Sequence, residues 1–154
     1  MKQLALVLLV SAFFGCNTSS VYEKSKDIAN RTWIADSVVN FNVQLNQPEN
    51  TYDLNLAVRN TADYPFHNLY ITYFIKDSLG NILKTDMVNN ILFDPKTGKP
   101  YGSSLGGIYT NKFLLLKDFL LREGSYQIQI EQNMRLDSLE GIVSIGVGID
   151  LSEK

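Results

Sequence analysis

An apolar–polar alternation with a period of two limits what this chain can become more than any other feature. In residues 39–45, Val39, Phe41, Val43 and Leu45 alternate with Asn40, Asn42 and Gln44. Tyr52, Leu54, Leu56 and Val58 alternate in the same way with Asp53, Asn55, Ala57 and Arg59, as do Tyr126, Ile128 and Ile130 with Gln127, Gln129 and Glu131. Near the C-terminus, Val143, Ile145, Val147 and Ile149 share one face and Gly146 and Gly148 the other. Successive side chains of a strand point to opposite faces, so each segment buries one face and wets the other. Residues 69–75 are apolar on both faces, which predicts a central strand covered on both sides. Turn-forming clusters at 47–50, 77–81, 94–100 and 122–125 punctuate the pattern. The expectation is an all-β chain, an antiparallel β-sandwich, with immunoglobulin-like and jelly-roll-like topologies both open. The glycine-rich residues 101–111 are expected as a long ordered loop and 136–141 as one helical turn.

The first residues follow a different logic. Lys2 supplies a positive charge, residues 4–14 are apolar or small, and Gly15-Cys16 follows. This is the layout of a signal peptide, and the apolar run is far short of the roughly 20 residues a permanent span needs. Gly15-Cys16 matches the last two positions of a bacterial lipobox, while Phe13 and Phe14 depart from its first two. The thiol of Cys16 is the nucleophile that accepts a diacylglyceryl group, and its freed amine accepts a further acyl chain. Two or more chains make a stable anchor. The expected organisation is therefore a removed lipoprotein signal peptide over 1–15, a lipidated N-terminus with a tether and an ordered arm over 16–31, and a single sandwich domain over 32–154. The expected membrane contact is through lipid on Cys16.

Charge and composition exclude several functions. The chain has 154 residues, 14 basic against 16 acidic and a formal net charge of −2, with no basic run to attract nucleic acid or an anionic surface. Cys16 is the single cysteine, so an intrachain disulfide is impossible, and its lipidation also removes thiolate–metal and cysteine-nucleophile chemistry. His67 is the single histidine, which leaves a His-based triad or a zinc site without a ligand set. Glu123, Glu131 and Glu140 have no spacing that pairs two across a cleft. Residues 94–99 read as a turn rather than a calcium loop, and 102–107 lack the Gly-Lys-Ser/Thr ending of a phosphate loop. No cofactor, catalytic residue, metal or small-molecule substrate is expected. Trp33 reads as core. The best candidate for an exposed interaction surface is Asp63, Tyr64, Phe66 and Tyr70, with Tyr73 nearby. Those aromatics also support a second reading, a carbohydrate-binding or sugar-processing sandwich lipoprotein.

Three segments together resemble a known family. They are Val21-Tyr22-Glu23 through Asp27-Ile28, Asn30, Trp33 and Asp36-Ser37; then Asp63-Tyr64-Pro65-Phe66 with Asn68-Leu69-Tyr70; then Glu131-Gln132, Met134-Arg135, Asp137 and Leu139-Glu140-Gly141-Ile142. With the Cys16 lipobox, their order and spacing resemble the gliding-motility lipoprotein GldH family of Bacteroidota, over nearly the whole chain. The resemblance implies a small envelope lipoprotein without known catalysis, needed for gliding and tied to type IX protein secretion through other envelope proteins. Asn17 is not the aspartate that typically retains lipoproteins on the inner membrane, and no acidic cluster follows it. Family-level expectation thus places the anchor on the periplasmic face of the outer membrane.

Overall fold

The computed structural model describes residues 20–153. The signal peptide and Cys16 readings lie outside the described residues. In chain order the elements are β1 (Ser20–Asp27), a single 3-10 turn (Ala29–Arg31), β2 (Thr32–Ile34), β3 (Val39–Thr61), β4 (Asn68–Lys76), β5 (Ile82–Ile91), β6 (Ser103–Leu105), β7 (Ile108–Gln132), β8 (Ser138–Glu140) and β9 (Ile142–Leu151).

The two longest strands, β3 and β7, organise the rest. They pair antiparallel along almost their whole length, from Val39↔Ile130 to Thr61↔Ile108. Between Leu45↔Gly124 and Glu49↔Arg122 the register shifts, with two more residues on β3 than on β7. Inward-facing positions change phase there, from Val39, Phe41, Val43 and Leu45 to Tyr52, Leu54, Leu56 and Val58, all buried. A bulge of this kind bends a ribbon and re-aims its side chains. The ribbon folds over at this point, and its halves fall in two facing sheets.

The first sheet runs β1-β9-β3-β7 through residues 49–61 of β3, with β6 added beyond β7. The second runs β3-β7-β4-β5 through residues 39–45 of β3. The pairings β1·β9, β3·β7 and β4·β5 are nested in sequence, as in one long hairpin rolled on itself. That is jelly-roll topology and settles the choice the sequence left open. Leu45, Ile75 and Ile128 of the second sheet line one apolar crevice with Leu54, Leu121 and Ile149 of the first. The core therefore lies between the sheets. A two-stranded sheet of β2 and β8 closes one end, where Trp33 and Leu139 pair and are fully buried. The Trp33 indole N–H donates to the Ser37 carbonyl at 2.8 Å.

Strand direction gives the sandwich two distinct ends. The near end holds the start of β1, the bend at 46–48, the turn at 77–81 and the bulged part of β7 at 115–121. The far end holds 28–38, 61–67, 92–107 and 133–141.

Four expectations are corrected. The arm over 20–27 is edge strand β1, paired with β9 from Ser20↔Asp150 to Asp27↔Ser144, so the sheet begins at Ser20 rather than at residue 32. Its alternation is hidden because an edge strand exposes most side chains on both faces. Residues 138–140 are strand β8, not part of a helical turn, because they complete a sheet with β2. The glycine-rich segment contains a β6–β7 hairpin around Gly106 and Gly107, both at positive φ. Strand β4 buries Leu69, Ile71, Tyr73 and Ile75 but leaves Tyr70 38% exposed, so only one of its faces is covered.

Candidate functional site

The far end is assembled around Tyr64. Its ring is buried, stacks on Phe93 at 6.2 Å between centroids and meets the edge of Phe66 at 6.0 Å. Its hydroxyl donates to the Asn68 carbonyl at 2.8 Å, and burial pushes the phenol pKa up, so the group stays a neutral donor. The His67 carbonyl accepts from the N–H groups of Leu92 and Phe93 at 2.8 and 2.9 Å, tying the 92–93 segment to the same loop. The Thr61 N–H donates to the Gly141 carbonyl at 2.9 Å. Tyr64 therefore packs the far end from within and is not part of its surface.

The other members of the expected patch are divided between surface and interior. Asp63 is exposed in the turn, and Phe66 is partly buried against the core. Tyr70 stands on the outward face of β4, where its N–H donates to Met134 Sδ at 3.2 Å and its carbonyl accepts from the Asn133 N–H at 2.8 Å. Tyr73 is buried in the core. The structure thus gathers Tyr64, Phe66 and Phe93 inside the loop and leaves Asp63 and Tyr70 facing water. Ile34, Tyr101, Leu105 and Leu136 add exposed apolar surface at this end, Leu105 being 85% exposed.

The outward face of the second sheet carries a row of amides that sequence reasoning did not single out. Register places Asn42 opposite Gln127, and Gln44 opposite Ser125. Ser125 Oγ donates to Gln44 Oε1 at 2.6 Å, Gln129 Nε2 to Gln127 Oε1 at 2.8 Å, and Lys76 Nζ to Gln129 Oε1 at 2.6 Å. The Lys76 ammonium also lies 5.6 Å from the centre of the Phe74 ring. The signal was present: the wet positions of 40–44 and 127–129 are all amides where charges are the common choice. Only the pairing shows that they form one surface.

The outward face of the first sheet is different. Gly146 and Gly148 leave a shallow trough, crossed by a Lys112–Glu23 ion pair at 3.2 Å and edged by Asn55, whose amide donates to Asp150 at 2.7 Å. A side chain on Gly146 would run into Ser25 and Ala57, so glycine is what allows these strands to pack their small residues together.

The acidic groups with lowered pKa values serve the backbone. Asp94 accepts from the N–H groups of Thr97 and Lys96, and Asp77 from the Asn81 side chain and the N–H groups of Leu79 and Asn81. Asp53 accepts from the Asp118 N–H at 2.9 Å and the Ser152 hydroxyl at 2.6 Å. All three hold turns or bulges, which accounts for their shifts without a catalytic role. Among the described residues, no three His, Asp or Glu side chains gather to hold a metal ion, and no helix is long and apolar enough to cross a membrane.

Comparison with known proteins agrees with these observations in extent. The family model described as GldH lipoprotein matches residues 20–149. A gliding motility lipoprotein GldH homolog of Christiangramia forsetii is 28% identical over 155 residues, covering 96% of this chain and 93% of the relative. The gliding motility lipoprotein GldH of Flavobacterium johnsoniae is 28% identical over 152 residues, covering 94% and 93%. Among solved structures, the VP2 subviral particle of infectious bursal disease virus aligns over 88% of this chain and 31% of that one, with 11% identity and a TM-score of 0.36.

Proposed function

The chain belongs to the GldH lipoprotein family, and from that premise we propose that it is a non-enzymatic lipoprotein of the cell envelope. It is anchored through lipid on Cys16 at the periplasmic face of the outer membrane. There it supports gliding motility and the associated type IX secretion machinery by binding other envelope proteins. The observation that carries this reading is the near full-length match to two relatives named as gliding motility lipoproteins. The surface best suited to partners is the far end, where Asp63 and Tyr70 lie beside exposed apolar side chains. Deleting the gene tests the role: the expected result is loss of colony spreading and a depleted secreted proteome. Wild-type spreading with a wild-type secreted proteome would overturn it.

A second reading draws on the amide row. Neutral amides beside Phe74, with Tyr70 four residues further along the same face of β4, suit a neutral, hydroxyl-rich ligand such as a glycan, because amides can donate to and accept from hydroxyls while a ring packs on a sugar face. Binding on a glycan array that disappears in Tyr70→Ala would favour this reading. A flat array would remove it.

A further inference from the structure

We propose that the near end of the sandwich seats directly on the bilayer, with Leu79 and Leu120 as its insertion points. The proposal rests on the reading of Cys16 as the lipidated residue and adds to it which surface faces the membrane.

The reach of the chain sets the geometry. Four residue steps separate Cys16 from Ser20, the first residue of β1, and a fully extended chain covers at most about 14 Å in that distance. The start of β1 is therefore held close to the lipid. Strand pairing then decides what else lies at that level. Ser20 pairs with Asp150, Asp150 with Asp53, and two residues further along β3 Thr51 lies opposite Leu120. From β1 to β7 is three strand spacings, about 14 Å. In the second sheet Asn42 pairs with Gln127, and Gln127 with Lys76, so the turn at 77–81 projects past the same end. That turn lines a surface hollow with Gln44, Ser125 and Tyr126, beside the bend of the ribbon.

The tips of these segments are apolar. Leu79 is 85% exposed and Leu120 57% exposed, and Ile82 and Leu83 continue the apolar surface from Leu79. Held in water, such side chains gain nothing, whereas at the boundary of a bilayer they bury their surface. Charge does not supply the attraction: Glu49, Asp53, Asp77, Asp118, Glu123 and Asp150 outnumber Lys76, Lys84, Lys117 and Arg122 at this end. The contact is thus apolar, suits zwitterionic lipid, and does not weaken with salt.

Cys16 is the only cysteine, so in the lipidated protein an introduced cysteine is the only free thiol. The test uses full-length protein matured in cells, purified and reconstituted on phosphatidylcholine vesicles. Leu79→Cys, Leu120→Cys and, at the far end, Leu105→Cys each carry an environment-sensitive fluorophore. The expected result is blue-shifted emission at 79 and 120, quenched by spin-labelled lipid and unchanged by salt, with water-like emission at 105. Water-like emission at all three positions would overturn the seating while leaving the anchor intact. Uptake of label by the unaltered protein would show Cys16 to be a free thiol, which overturns the anchor and the seating together.

Discussion

Gly141 lies so close to Tyr64 that a Cβ on it would fall 2.8 Å from the Tyr64 Cα. Its φ of +86° is one that L side chains rarely adopt. Gly141 sits between β8 and β9, so this contact fastens the β8–β9 turn to the 61–67 loop. Gly141→Ala faces both backbone strain and a contact that backbone atoms cannot yield cheaply. The expected cost is about 2–4 kcal/mol in urea unfolding. Gly80→Ala has a similar φ of +85° but open space around it, so it should lose only about 1 kcal/mol.

Much of the architecture was legible before the structure. Segments with one buried face announced themselves, since Phe41, Leu56 and Ile145 each sit two residues from another core side chain. What escaped was structure whose order comes from a partner distant in sequence. Strand β1 lacks a clean alternation because nearly all its side chains are exposed, on both faces. Strand β8 is three residues long and exists because β2 lies beside it. Tyr64 looked like a surface aromatic because Phe93, which buries it, is 29 positions further along the chain. The exposure of Tyr70 escaped the pattern too, because residues 69–75 read as apolar on both faces while only one face of β4 is covered, and the amide row needed the β3–β7 register before its members could be seen as one face.

Two buried phenols should respond in opposite ways to loss of their hydroxyl. Tyr64 donates to the Asn68 carbonyl, so Tyr64→Phe strands a buried acceptor and should cost roughly 1 kcal/mol. The Tyr52 hydroxyl is buried with no protein partner. Tyr52→Phe should be neutral or stabilising, by up to about 1 kcal/mol. Paired denaturant titrations with unchanged slopes check both.

Acid should loosen the molecule at its turns and bulges. The Asp118 N–H and the Ser152 hydroxyl hold the Asp53 carboxyl below its usual range, the Asn81 side chain does so for Asp77, and the Thr97 and Lys96 N–H groups do so for Asp94. Each ionises more readily in the folded chain than in the unfolded one. Its stabilisation is therefore present above the unfolded value of 3.8 and is lost as pH falls through the lower folded value. Melting temperature should fall as pH drops below about 4. Asp53→Asn, which keeps an acceptor but no charge, should flatten part of that slope.

Trp33 gives a built-in probe of the far end. It is the only tryptophan, fully buried, with its indole N–H bonded to Ser37. Native emission should be blue-shifted and move red in a single step on unfolding. Trp33→Ala should cost about 3–5 kcal/mol, because β2 would lose its packing against the core.

The far end separates a folding role from a docking role. Asp63 and Tyr70 face water and are expected to change stability by no more than about 0.5 kcal/mol when replaced. Tyr64 is buried, and Tyr64→Ala should lower stability by about 3 kcal/mol or more, with protein level falling in cells. If the far end binds envelope partners, Asp63→Lys with Tyr70→Ala should keep wild-type melting and wild-type abundance yet reduce colony spreading. Tyr64→Ala would reduce spreading only in proportion to the protein lost. Measuring abundance, melting and spreading on the same strains distinguishes the two. Full spreading by the Asp63→Lys, Tyr70→Ala strain would move the partner surface away from these residues. The amide row, with Gln127 and Gln129 at its centre, would then be the next face to alter.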